Sequence, residues 1–108
     1  MVAIGKTHVS PKLTAGPVAG HLATRFWHGE FMSDLVTILA NNTLMLFHDV
    51  SGVPQSACVF VNTSGGLAEV VCTIAWISPD EKLNVLLKNF ADHDTPLAHY
   101  TIQWFAID

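Results

Sequence analysis

Residues Ser56–Ile77 read SACVFVNTSGGLAEVVCTIAWI, two apolar runs separated by Asn62-Thr63-Ser64-Gly65-Gly66. Val, Ile, Phe, Thr and Cys dominate both runs, and Ser64, Gly65 and Gly66 supply the positive-φ positions of a tight reversal, so the stretch predicts a β-hairpin. Pairing centred on Gly65 sets Asn62 against Ala68, Phe60 against Val70 and Cys58 against Cys72. Phe60, Val70, Ile74 and both cysteines then share one face, and a slip of one residue would send every side chain to the other. The hairpin holds no chemistry. It establishes architecture before function.

The sequence on either side extends the same pattern. Leu22–His28 alternates, with an aromatic ring on each side, and Gly29-Glu30 reads as its interruption. Leu35–Ala40 and Thr43–His48 predict a second hairpin about Asn41-Asn42, whose side chains tolerate the left-handed region. Asp49–Gln55 is a loop broken by Gly52 and Pro54. His99–Ile107 alternates again, with Tyr100, Ile102, Trp104 and Ala106 on one face and Thr101, Gln103, Phe105 and Ile107 on the other. Ser78–Asp94 carries two patterns. Ser78, Pro79 and Glu81 form a helix start, with Leu83, Leu86, Leu87, Phe90 and Ala91 on one face. Yet Leu83, Val85 and Leu87 also alternate with Asn84 and Lys88, behind a Pro79–Lys82 turn. Strands on both sides favour the strand. The fold expected is all-β, an antiparallel β-sandwich or jelly roll of six to eight strands, with α+β and one helix at 79–91 as the alternative.

A chain of 108 residues makes one domain. Residues 1–20 hold Gly5, Gly16, Gly20, Pro11 and Pro17 among apolar side chains and read as an extended N-terminal arm, leaving 21–108 as a single sandwich domain. Only 13% of residues are charged, against about 25% in an ordinary domain. From Leu35 to Ile77 the only charged side chains are Asp49 and Glu69. Solvent-facing strands would carry polar residues at alternate positions there, so this section is expected to be covered or to pack on another chain. The partner expected is a second copy, as a homo-oligomer with a trimer favoured. Val2, Ile4, Val9 and Leu13 of the arm, with Trp27, Phe31 and Trp104, are the candidate interface residues. Trp27, beside Arg25 and His28, reads as the exposed tryptophan, and Trp76, next to Ile77, as the core one.

Net charge is −4, and Lys6, Lys12, Arg25, Lys82 and Lys88 are scattered, which argues against a nucleic-acid partner. No run approaches the roughly 18 apolar residues of a membrane span. The opening MVAIGKTHVSPK lacks the order of a signal peptide, so the protein is expected to be made in a host cytoplasm without export by that route. Cys58 and Cys72 read as reduced, packed thiols, with a cross-strand disulfide as the alternative. Asp92-His93-Asp94 with His99 is the one grouping that resembles metal ligands, but CxxC and HxxxH spacings are missing. No catalytic residue, metal or cofactor is therefore expected, and the chain reads as a non-enzyme.

The run LNVLLKNFADHDTPLAHYTIQWFAID, 83–108, resembles the closing strands of small β-sandwich modules in bacteriophage fibre and capsid-decoration proteins. There an Asn-ended strand is followed by a Thr-Pro loop and an aromatic-rich last strand. The ending YTIQWFAID also looks like the last strand of H-type lectins, which are trimeric sugar-binding sandwiches. The first resemblance implies a structural virion component, a capsid cement or tail-associated protein among other virion proteins. The second implies carbohydrate as the alternative partner.

Overall fold

The computed structural model describes residues 4–9, 13–14, 23–65 and 69–108, with side chains at Gly5 and from 25 onward. Among these residues the chain is all-β. It forms β1 (Ile4–Val9), β2 (Leu13–Thr14), β3 (Ala23–Thr24), β4 (Phe26–Met32), β5 (Thr43–Asp49), β6 (Cys58–Ser64), β7 (Val70–Ile77), β8 (Lys82–Asn89) and β9 (Thr101–Ile107). One sheet has the order β1-β4-β9-β6 and the other β5-β8-β7, while β2 and β3 form a short ribbon. All pairings are antiparallel.

The two large sheets pack face to face as a sandwich. Trp27 and Phe31 of β4 and Ile102, Trp104 and Ala106 of β9 meet Leu46 of β5 and Leu83, Val85 and Leu87 of β8, and all are nearly inaccessible to water. Each large side chain buried in this way contributes roughly 1.5–3 kcal/mol. Alternation along β9 is clean: Tyr100, Ile102, Trp104 and Ala106 point inward, as their spacing predicts.

Ser56–Ile77 is not a hairpin. β6 pairs along its whole length with β9, and β7 pairs with β8, so the two arms lie in opposite sheets joined by an arch. Gly65 serves that arch. Its φ is +103°, and a Cβ there would run into the backbone carbonyl of His99 on the approach to β9. Cys58 and Cys72 are accordingly not cross-strand partners; both are free thiols, one exposed and one half-buried. The shared face also fails, for a second reason. A β-bulge at Thr73 inserts one residue between the Cys72–Leu87 and Ile74–Leu86 pairs. Uninterrupted alternation from Val70 and Cys72 would turn Ile74 and Trp76 inward; the extra residue turns both outward and puts Ala75 and Ile77 in the core.

Leu35–Ala40 is not a strand either. It runs as a strap beside 94–98, held by one isolated bridge between Val36 and Ala98 and by paired bonds between Ile38 and Thr95. Asn89, fully buried at the end of β8, fixes the strap to the following loop. Its amide donates to the carbonyls of Ile38 at 3.1 Å and His93 at 2.9 Å, and its oxygen accepts from the Ala91 N–H at 2.9 Å. Asn41 does take the left-handed turn, at φ +58°, but it leads into β5, whose partner is β8. Gly29-Glu30 does not interrupt β4, which passes through both residues paired with β1 and β9. The helix weighed for 79–91 is absent; the segment is a β7–β8 hairpin. Its turn is closed by the Glu81 N–H to the Ser78 carbonyl at 3.0 Å, with Glu81 itself at φ +59°.

The described part of the N-terminal arm does not stand free: Ile4–Val9 adds to the sheet as β1, in register with β4 from Ile4–Met32 to Val9–Trp27. Gly5 lies opposite Phe31, so close to the Phe31 Cβ and the His48 ring that a side chain there has no room. Leu13–Thr14 of the arm pairs with Ala23–Thr24 as the β2–β3 ribbon, while Val2 and the rest of the arm lie outside the described residues.

Candidate functional site

Alternation leaves each sheet one outward face, and the uncharged section Leu35–Ile77 supplies much of both. On β5-β8-β7 the outward residues form rows across the strands. Phe47, Asn84 and Trp76 make one, Met45, Leu86 and Ile74 the next, and Thr43, Lys88 and Val71 a third. Phe47 is 55% exposed, Ile74 53% and Trp76 38%. Asn84, polar and on the middle strand, is 5% exposed, because its amide turns down to the carbonyls of Lys82 at 3.0 Å and Trp76 at 3.4 Å, and the exposed Thr73 hydroxyl donates to the Leu86 carbonyl at 3.2 Å. Charges stand at the margins. Lys82 pairs with Asp49 at one end, and Lys88 lies 5.0 Å from the Phe90 ring centre at the other. That pairing holds the Asp49 carboxyl below and the Lys82 ammonium above their ordinary values, first through the hydrogen bond and then through Coulomb attraction.

The outward face of β4-β9-β6 is built differently. His28, Phe105 and Phe60 form one row and Glu30, Gln103 and Asn62 the next. Phe60 and Phe105 stack at 4.7 Å with their planes 16° apart, and Phe26 approaches Phe105 at 6.5 Å. Asn62 donates to the Gln103 carbonyl oxygen at 3.3 Å, and Gln103 donates to Glu30 at 3.5 Å. Between the rows lies an open depression of about 610 Å3.

Between the sheets a histidine faces the core. His48 of β5 stacks on Phe31 of β4, ring centres 4.5 Å apart and planes 9° apart. Burial pushes its pKa below the ordinary 6.5, only partly opposed by the neighbouring Asp49. Burial likewise raises the Cys72 thiol, which keeps it protonated and weakly nucleophilic.

Of the candidate interface residues, Trp27, Phe31 and Trp104 are core residues at 2%, 1% and 3% exposure and present nothing to a partner. Arg25 caps Trp27, its guanidinium 4.9 Å from the ring centre. Ile4, Val9 and Leu13 lie in strands whose side chains are outside the description, as is Val2 altogether. The roles of the tryptophans are reversed: Trp27 is inside and Trp76 outside. The His-Asp grouping does not converge. Asp94 accepts from the Ala40 N–H, His99 Nδ1 lies 2.7 Å from the Ser33 carbonyl, and the His93 and Asp92 side chains lie against each other at the surface. Among the described residues no three His, Cys, Asp or Glu side chains are placed to hold a metal ion. Sequence reasoning missed Phe47, Phe60 and Phe105 as surface aromatics. A phenylalanine in an alternating strand carries no mark of which side is out.

Comparison with protein-family models, curated proteins and solved structures finds no match for the chain.

Proposed function

We propose that this chain is a structural, self-associating β-sandwich of a virion, a capsid-decoration or tail-associated protein, which packs on further copies of itself through the outward face of β5-β8-β7. The observation that carries this reading is the contiguous exposure of Phe47, Val71, Ile74 and Trp76 around a sealed Asn84. Such a patch left in water favours association. A second copy is a partner that meets it with little conflict, since Lys82 and Asp49 neutralise each other and the remaining charge, Lys88, stands at the margin of the face. The likeness of 83–108 to the closing strands of phage sandwich modules supports the virion setting.

The test is solution mass by light scattering over a dilution series, for the native chain, Ile74→Asp and Phe105→Asp. A discrete oligomer is expected, trimer first. Ile74→Asp should raise its dissociation constant at least about tenfold by burying an unpaired charge, and Phe105→Asp, on the opposite face, should leave it unchanged. A monomer at every concentration, or equal loss with both variants, rejects the interface. The virion setting is checked by mass spectrometry of density-banded particles: peptides of this chain in the particles support it, and their restriction to the unbanded lysate rejects it.

A further inference from the structure

The outward face of β4-β9-β6 carries a second, chemically distinct feature. Its two rows lie two residues apart along each strand, about 7 Å, and cross three strands at roughly 4.8 Å spacing. The result is a short trough with rings on one wall and a hydrogen-bonding ladder on the other. We propose that this trough is a binding site for a neutral saccharide, held between the Phe60–Phe105 wall and the Asn62–Gln103–Glu30 ladder.

The ladder is ordered before any ligand arrives. Asn62 donates to Gln103 and Gln103 to Glu30, so each amide has one donor committed. What remains is one more N–H on Asn62 and on Gln103, the Asn62 carbonyl oxygen and the second Glu30 oxygen, an alternation of donors and acceptors along one edge. A hydroxyl both donates and accepts, so adjacent sugar hydroxyls match that edge in either order. The opposite wall offers ring carbon and hydrogen, against which the C–H side of a pyranose packs.

The charges select against other ligands. Glu30 puts a carboxylate in the trough, and no lysine or arginine is among its described lining residues. Lys6 stands opposite Glu30 in the β1 register. Phosphate and sulfate groups thus meet no cationic pocket. A wholly apolar ligand or protein face would cover the ladder without satisfying it and strand its polar groups. A ligand with hydroxyls on one edge and C–H on the other avoids both penalties. This inference does not depend on self-association, which uses the opposite sheet.

The test follows the side-chain amide resonances of Asn62 and Gln103 in the 15N-labelled full chain during titration with four probes. These are methyl α-glucoside, methyl β-galactoside, methyl α-mannoside and N-acetylglucosamine. Sodium sulfate and a short single-stranded oligonucleotide serve as controls. At least one sugar is expected to give saturable shifts confined to β4, β9 and β6. Gln103→Ala should abolish them and Phe105→Ala weaken binding about tenfold or more, both substitutions lying at the surface of a fold whose circular dichroism stays native. Four sugars without a saturable shift, shifts mapping elsewhere, shifts unaltered in Gln103→Ala, or saturation by the oligonucleotide or sulfate instead would each overturn the site.

Discussion

The two outward faces of the sandwich expose aromatic rings in similar measure, yet the residue at the centre of each behaves in opposite ways. On the middle strand β8, Asn84 folds down onto the carbonyls of Lys82 and Trp76 and disappears beneath its neighbours. On the middle strand β9, Gln103 reaches sideways to Asn62 and Glu30 and stays in water. The first arrangement removes polarity from a face; the second displays it. A polar residue between aromatics therefore says little about a surface until the destination of its hydrogen bonds is known.

The sharpest way to break the contrast is to separate face from core on a single strand. Trp104 and Phe105 are neighbours on β9, one 3% exposed between the sheets and the other 40% exposed outside. Trp104→Ala should cost about 3–5 kcal/mol through lost burial and the cavity left behind. Phe105→Ala removes an exposed cross-strand stack with Phe60 and a looser approach to Phe26 and should cost about 1 kcal/mol or less. Urea unfolding midpoints measure both. Comparable losses would mean that the outer aromatic row supports the fold and is not a surface held in reserve.

How much of this was legible follows from which signals are local. The strands β5 to β9, the all-β class and the inward side of β9 follow from period-two patterns within a few residues, whereas β4 was legible only as far as His28 and the strap at Leu35–Ala40 reads as a strand it does not form. The partners do not. Ser64-Gly65 serves an arch as well as a hairpin, and the choice is made by β9, some forty residues away, which pairs with β6 from Cys58–Ile107 to Ser64–Thr101. Trp76 reads as a core residue from its place at the end of the apolar run beside Ile77, but the bulged residue Thr73 shifts the parity of the strand, so that Ile77 turns inward and Trp76 outward. Trp27 was read outward from its polar neighbours Arg25 and His28, but Arg25 covers its ring and leaves it buried. The uncharged middle reads as a section that is covered or packs on another chain; in the single chain Phe47, Phe60, Ile74 and Trp76 are exposed, and nothing local said which rings these would be or that a polar ladder lay beside Phe60 and Phe105.

The space between the two faces offers a smaller, pH-dependent test. His48 is pushed below its ordinary pKa of 6.5 by burial against Phe31. As pH falls through the unfolded value, the unfolded chain takes up that proton first, so stability is full above about pH 7 and declines toward the lower folded pKa before levelling. Asp49 and Asp108 act in a separate window. Lys82 lowers the first, and Arg25, then Ser56, the second, so their contribution is present above the ordinary 3.8 and is lost as pH falls through the depressed folded values. Thermal midpoints across this range should show two declines, and His48→Gln should remove only the upper one. An unchanged upper decline would place its origin elsewhere.

The smallest expected effect concerns what decides which side of β8 faces out. The β7–β8 turn fixes that register, and a slip of one residue would exchange Asn84 and Leu86 for Leu83, Val85 and Leu87 on the exposed face. Glu81 holds the position after the turn at φ +59°, a region that favours glycine, while its carboxylate accepts from the Gly52 N–H at 3.0 Å. Its side chain and its backbone therefore pull against each other. Glu81→Ala loses the bond and keeps the strain; Glu81→Gly loses the bond and relieves the strain. The glycine variant should accordingly be the more stable of the two by about 1 kcal/mol, and it should lie close to the native chain in denaturant unfolding, because the exposed bond it lacks is worth about 0.5–1 kcal/mol. If alanine and glycine prove equal, the turn does not store the backbone strain, and the register of the apolar face rests on the Thr73 bulge and on cross-strand packing alone.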